Sequence, residues 1–200
     1  MIRACVYGYG NIGKAVLSAL KTSPDFEIVG VVSSSLQSDA LEGVKVVRDI
    51  AELENVEVAI LCTPSRTVPD LAASLLEKGI CTVDSFDIHT QVCDVRRRLD
   101  QVAKTHQVAC VMSAGWDPGT DSMVRAILEA MTPRGITYTN FGPGMSMGHT
   151  VAVKAIEGVK NALSMTIPLG TGIHRRMVYI ELKDGYDFNT VAAAIKNDDY

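Results

Sequence analysis

Two carboxylates and one glycine turn are the residues of this chain best suited to chemistry. Asp87 lies in Asp84-Ser85-Phe86-Asp87-Ile88-His89, and Asp117 in Gly115-Trp116-Asp117-Pro118-Gly119. Each stretch follows a short apolar run that reads as a strand. Both carboxylates would then leave the same edge of one sheet, where open α/β sheets bind ligands. Two acidic groups there can hold a substrate ammonium and handle protons while an imine is hydrated. Asp117 also admits a helix N-cap reading before Pro118, and Asp87 a turn reading. The glycine turn is Gly8-Tyr9-Gly10-Asn11-Ile12-Gly13. It follows a strand pattern and opens a helical one, the context in which GxGxxG binds a dinucleotide. Gly8 permits the tight turn, Gly10 lets a pyrophosphate approach the backbone, and Gly13 lets helix and strand pack closely. The N–H groups of the helix start, at Asn11 and Ile12, would face the phosphates.

Further candidates follow the strand ends. The second strand runs into Ser33-Ser34-Ser35 with no acidic residue to take a ribose 2′-hydroxyl. Three hydroxyls there favour NADP, with NAD less favoured, and Lys14 can add charge. Cys62, Thr63, Pro64 and Ser65 follow the fourth strand, near the path of the nicotinamide half, with Arg66 split between ligand group and surface residue. Ser85 and Phe86, and Ala114, Gly115 and Trp116, belong to the same cofactor-facing edge. Later in the chain, Phe141–His149 is dense in glycine, and Gly148 can open a helix toward a carboxylate. Arg176 begins an apolar strand and offers an Arg fork to a carboxylate; Thr166 lies on the strand before it.

The elements that must position these residues alternate strand and helix in the first half. Strands are expected at Arg3–Gly8, Phe26–Val32, Val44–Val47, Val56–Cys62, Ile80–Val83 and Val108–Met112. Apolar positions Ile12, Ala15, Val16, Ala19 and Leu20 fall on one helix face, as do Val68, Leu71, Ala72, Leu75 and Leu76. Residues 90–105 read as an Arg-rich helix. This is the pattern of a doubly wound Rossmann-type parallel sheet. After Gly115 the pattern changes to α+β: helix at Gly119–Met131, strand at Gly135–Asn140, a loop over Phe141–His149, and a short helix at Val151–Ile156. Paired strands at Val159–Pro168 and Arg176–Leu182 and a last helix at Asp187–Lys196 complete it. We expect a dinucleotide-binding domain over 1–117 and a substrate-binding and dimerisation domain over 118–200 that looks C-terminally incomplete.

Composition narrows the class. The net charge of −4 with no basic run gives nucleic acid no electrostatic footing. No apolar stretch reaches the ~18 residues of a spanning helix. A strand pattern starts at once and leaves no room for a signal peptide, so a cytoplasmic location is expected. Five scattered cysteines, without a CxxC pair, suggest buried apolar side chains rather than zinc ligands or disulfides.

Taken together, the chain resembles the meso-diaminopimelate dehydrogenases. The resemblance rests on Gly8–Gly13, Thr82–His89, Ser113–Gly119 and Asn140–His149. With Met147 in the loop and Ser164–Pro168 after it, it is similar to the subgroup that uses a broader range of D-amino acids and 2-keto acids. The resemblance implies NADP-dependent oxidative deamination of the D-centre of meso-2,6-diaminopimelate, giving ammonia and L-2-amino-6-oxopimelate, which cyclises to tetrahydrodipicolinate. The reverse reductive amination supplies diaminopimelate for lysine and cell-wall synthesis. It further implies that Asp87 and Asp117 contact the reacting amino end, that Trp116, Phe141, Met147, Gly148, Thr166 and Arg176 line the substrate, and that the enzyme is a homodimer. Two departures stand out: members often carry Arg near Ser34 and Ser35, and their chains continue past Tyr200. The competing expectations are a non-catalytic NADP-binding module and another two-domain NAD(P)-dependent oxidoreductase.

Overall fold

The fold is that of a computed structural model, which describes residues 1–135, 144–170 and 173–198. It divides into two compact units, Met1–Ile127 and Leu128–Tyr200. The division falls inside a helix, beyond the 117/118 boundary expected from the change of pattern.

In the first unit seven strands form one sheet: β1 (Ile2–Tyr7), β2 (Phe26–Val32), β3 (Ala40–Leu41), β4 (Val44–Val47), β5 (Val58–Leu61), β6 (Cys81–Asp84) and β7 (Cys110–Val111). Their order is β3-β4-β2-β1-β5-β6-β7. All neighbours are parallel except the β3/β4 pair at one edge. The order reverses at β1, so the crevice at the carboxyl ends of the central strands is the topological switch point. Helices α1 (Asn11–Thr22), α2 (Val68–Glu77) and α3 (Val92–His106) connect the strands. Ala4, Val6, Leu17, Leu20, Val31, Val46 and Val58 form the buried core between α1 and the sheet. The apolar runs placed six of these strands, with ends shifted by at most two residues; the two-residue β3 was not expected, since it forms only by pairing with β4. β7 is shorter than the expected Val108–Met112, because its pairing with β6 covers only Cys110 and Val111. The cysteines are free, but only Cys5 is fully buried. Cys62, Cys81 and Cys110 are half-buried and Cys93, on the outer face of α3, is exposed, which corrects the expectation for that residue.

Helix α4 (Thr120–Met131) follows the Asp117–Pro118 step, a cis peptide bond. The second unit contains β8 (Gly144–Met145), α5 (Met147–Lys154), β9 (Val159–Gly170), β10 (Ile173–Leu182) and α6 (Phe188–Lys196). The three strands make an antiparallel sheet in the order β10-β9-β8. Val153, Val159 and Val191 form its core, with Ile156, Val178, Ile180 and Ile195 packed against them. Asp187 caps α6 by accepting the Thr190 N–H at 2.9 Å. The stretch expected as a loop is partly regular. Gly144 and Met145 pair with Thr166 and Met165, and α5 begins at Met147, ahead of the expected Val151, because the Thr150 N–H bonds to Ser146 O at 3.0 Å. The strand expected over Gly135–Asn140 falls on residues of which 136–140 lie outside the described ones, as does Phe141.

Candidate active site

The glycine turn leaves β1 at the switch point. Gly8 has φ +98°, and a Cβ there would stand 2.7 Å from Cys62 O, so only glycine lets β1 turn against the end of β5. A Cβ at Gly13 would stand 2.1 Å from Gly8 O, which is how closely α1 packs on the turn. Gly10 is different. It is exposed, and a Cβ built on it meets nothing within 4 Å. Gly10 is also the N-cap of α1, with no side-chain hydrogen bond and no acid in the first turn. The N–H groups that open α1, among them those of Asn11 and Ile12, therefore face open space with the positive end of the helix dipole behind them. Nearby, Thr63 Oγ1 is buried and has no partner among the described residues. An uncapped helix start, an open glycine shelf and an orphaned hydroxyl fit the pyrophosphate and adjoining groups of a dinucleotide. Lys14 lies 5.9 Å over the Tyr9 ring, on the same helix start.

At the end of β2, Ser33 is buried and its Oγ lies 3.2 Å from Ser35 Oγ. The sequence reading missed a cation here. Arg48 follows β4, which pairs in parallel with β2 (Val32 opposite Val47). Its guanidinium donates to Ser33 O at 3.0 Å and also to Ser34 O. The departure noted in the sequence, no Arg beside the serines, is thus met by an Arg from the adjacent strand.

The two carboxylate loops are tied together. Asp84 ends β6, is buried, and accepts N–H bonds from Phe86 (2.9 Å) and Ser113 (3.0 Å) on Oδ1. Ala114 N–H donates to Asp84 O at 2.7 Å, and Ser113 Oγ donates to Phe86 O at 2.9 Å. The β6 loop carrying Ser85, Phe86 and Asp87 is therefore stitched to the β7 loop carrying Ala114, Gly115, Trp116 and Asp117. Burial pushes the Asp84 carboxyl pKa up, against the two N–H bonds, which pull it down. Asp87 accepts from Ser65 Oγ at 2.5 Å, which joins the β5 loop to the β6 loop. Pro64 precedes the short 3₁₀ turn Ser65–Thr67, which contains Arg66. Asp117 is no helix N-cap: α4 starts at Thr120, and Asp117 Oδ1 takes Arg125 Nη2 at 3.3 Å. Trp116, the one tryptophan, is 61% exposed, an unusual state for so large an apolar side chain.

In the second unit, Arg176 Nη1 donates to Ser146 Oγ at 3.3 Å, and Ser146 Oγ lies 2.7 Å from His149 Nδ1. Arg176 stands opposite Thr166 in the β9/β10 register, and Gly148 lies in the first turn of α5. Thr166, Gly148 and Arg176 are therefore gathered at one end of this unit, as a carboxylate-binding set would be.

Comparison with known proteins bears on both units. The oxidoreductase family with an NAD-binding Rossmann fold matches residues 2–111, and the diaminopimelic acid dehydrogenase C-terminal domain matches residues 115–175. The chain is 64% identical over its whole length to a meso-diaminopimelate D-dehydrogenase of Bacteroides fragilis, of which it covers 68%. It belongs to the meso-diaminopimelate D-dehydrogenase family. A second member, from Lysinibacillus sphaericus, is 36% identical over 87% of this chain, which covers 55% of that protein. Among solved structures, the C. glutamicum DAP dehydrogenase in complex with DAP has a TM-score of 0.82 at 28% identity, covering 98% of this chain and 66% of that one. An engineered D-amino acid dehydrogenase bound to NADP+ gives 0.81 at 27% identity, with the same coverage. Membership in the meso-diaminopimelate D-dehydrogenase family makes the chain an oxidoreductase of the amino-acid dehydrogenase type with an NAD(P)-binding Rossmann unit. No described helix is long and apolar enough to cross a membrane.

Proposed function

We propose that this chain oxidises the D-configured amino carbon of meso-2,6-diaminopimelate, and more slowly other D-amino acids, with NADP as acceptor, and catalyses the reverse reductive amination of the 2-keto acid with ammonia. The observation that carries this reading is the pair Asp87 and Asp117 on stitched loops at the carboxyl edge of adjacent parallel strands, in a unit whose glycine turn fits a dinucleotide. When bound, the nicotinamide takes up the hydride lost from the amino carbon. Asp87 and Asp117 hold the amino group and place that carbon. They then serve as acid and base as water adds to the imine and ammonia departs. Gly148, Thr166 and Arg176, with Trp116, Phe141 and Met147, are assigned to the rest of the substrate. The Arg fork of Arg176 suits a carboxylate.

The preference for NADP over NAD rests on Ser33–Ser35 and Arg48. The stretch that follows β2, Ser33-Ser34-Ser35, carries no acid to repel a 2′-phosphate, and the Arg48 guanidinium stands beside it. We assign the exposed apolar side chains Leu163, Leu169, Met177 and Tyr179 of the β9/β10 ribbon to a homodimer contact. The cytoplasm is the compartment such an enzyme serves. The direct test is NADP reduction with meso-diaminopimelate beside the L,L isomer and beside NAD. Turnover is expected with the meso isomer and not with the L,L isomer. Equal rates with both isomers would overturn the stereochemical assignment.

A further inference from the structure

Asp117 is held by a partner that the sequence motif does not contain. Arg125 lies on α4, within the same unit as Asp117, and its guanidinium spans two carboxylates. Nη2 is 3.3 Å from Asp117 Oδ1, and Nε is 3.0 Å from Asp121 Oδ2. The two acids differ in surroundings. The Asp121 side chain is 10% exposed, while those of Asp117 and Arg125 are 29% and 43% exposed. Asp121 is itself anchored through its backbone, which donates to Trp116 O at 2.8 Å. Asp121 Oδ2 is buried and accepts no hydrogen bond among the described residues, so its contact with Arg125 is an ion pair alone, whereas Arg125 Nη2 also donates a hydrogen bond to Asp117 Oδ1. The buried charge of Asp121 therefore holds the guanidinium beside it, and the guanidinium holds the more exposed Asp117.

We propose that Arg125, braced by Asp121, is a positioning residue for the proposed reaction. It sets the Asp117 carboxylate at one orientation for the substrate ammonium while touching neither substrate nor cofactor. Its two nitrogens leave Asp117 Oδ2 available to the ammonium. Without Arg125, Asp117 is an unrestrained carboxylate on a loop, and the reacting carbon loses its alignment rather than its affinity. Misplacement by about 1 Å can cost on the order of 100-fold in rate.

This inference rests on the assignment of Asp117 to the site, and a double-mutant cycle separates the two. Arg125→Met, Arg125→Lys, Asp117→Asn and the double variant Arg125→Met/Asp117→Asn are made in the full chain. The measurements are kcat and KM for meso-diaminopimelate, NADP affinity by calorimetry, and thermal midpoint. Arg125→Met is expected to lower kcat by about 10- to 100-fold, to change KM and NADP affinity less than about threefold, and to be partly rescued by Lys. The double variant is expected to be no slower than Asp117→Asn, because Arg125 acts only through that carboxylate. Rates that multiply in the double variant would overturn the proposal, as would a wild-type kcat in Arg125→Met. A parallel loss of NADP affinity and thermal midpoint that Lys does not rescue would reduce Arg125 to a structural role and overturn it too. If Asp117→Asn alone turns over at the wild-type rate, the assignment of Asp117 itself fails, and the proposal falls with it.

Discussion

Gly10→Ala separates cofactor binding from folding more cleanly than any other single change. Gly10 has φ −79° and ψ −161°, a backbone conformation that alanine adopts without strain. The added methyl meets no atom within 4 Å. Two small effects on stability oppose each other. Alanine is a poorer N-cap than glycine, but it lowers the entropy of the unfolded chain by roughly 0.4–1 kcal/mol. The net change should stay within about 1 kcal/mol, a shift in thermal midpoint of roughly 2–4 °C or less. The methyl does occupy the shelf over which a pyrophosphate would reach the N–H groups opening α1. Overfilling a close contact by one methyl costs about 1–3 kcal/mol, which is about 5- to 150-fold in Kd. Gly13→Ala is the control with the opposite signature. Its methyl would stand 2.1 Å from Gly8 O, backbone against backbone, so α1 must move off β1. The cost there is about 3 kcal/mol or more, a fall in midpoint of roughly 6–12 °C. Calorimetric titration with NADP and thermal unfolding of both variants check the pair. A Gly10→Ala protein that is folded and binds NADP like the wild type would refute the placement of the pyrophosphate on this shelf.

Three further outcomes follow from the geometry. Arg48→Ala should weaken NADP binding by about 10-fold or more, the worth of a charge-assisted contact, and leave NAD binding within about twofold; equal losses for both cofactors in a titration would remove Arg48 from the 2′-phosphate. Asp84, raised by burial, binds its proton more tightly in the folded chain than in the unfolded one. Its favourable contribution is complete below the ordinary Asp range and is lost as pH rises through the raised value. Asp84→Asn keeps an acceptor for Phe86 and Ser113 and removes that loss. Its thermal midpoint relative to wild type should therefore climb as pH rises above the ordinary Asp range, and a flat or falling difference contradicts the sign. Burial pushes the thiol pKa of Cys5 up to about 12 and that of Cys62 up to about 11. In the folded protein a thiolate-directed alkylating agent should therefore mark exposed Cys93 first, with Cys5 and Cys62 protected until denaturant is added; peptide mapping by mass spectrometry reads the order.

The parts of this molecule legible from sequence are those set by local pattern. β2 runs over Phe26–Val32 and β4 over Val44–Val47 as their apolar runs require. Gly79 closes α2 in the left-handed region, as glycine at a helix end does. The parts that were not legible depend on partners far along the chain. Gly144 and Met145 form a strand only because β9 supplies their pairing about twenty residues later, and nothing local to a glycine-dense stretch encodes that. Arg48 carries no signal of its own in the sequence, and only the register of β4 on β2 places it at Ser33. Arg125 stands one helical turn past Asp121, a spacing visible in the sequence, but its reach to Asp117 depends on the backbone between Gly115 and Thr120.

The two carboxylates were equivalent on paper and are not equivalent in the fold. Asp117 is held by a guanidinium, which can only donate hydrogen bonds. Asp87 accepts a hydrogen bond from the Ser65 hydroxyl, which can both donate and accept. Asp117 therefore depends on α4 of its own unit, through Arg125 and the buried Asp121, while Asp87 is tied to the β5 loop. The two acids sit on stitched loops, yet a substitution at Arg125 reaches the first and one at Ser65 reaches the second, because their partners come from different elements.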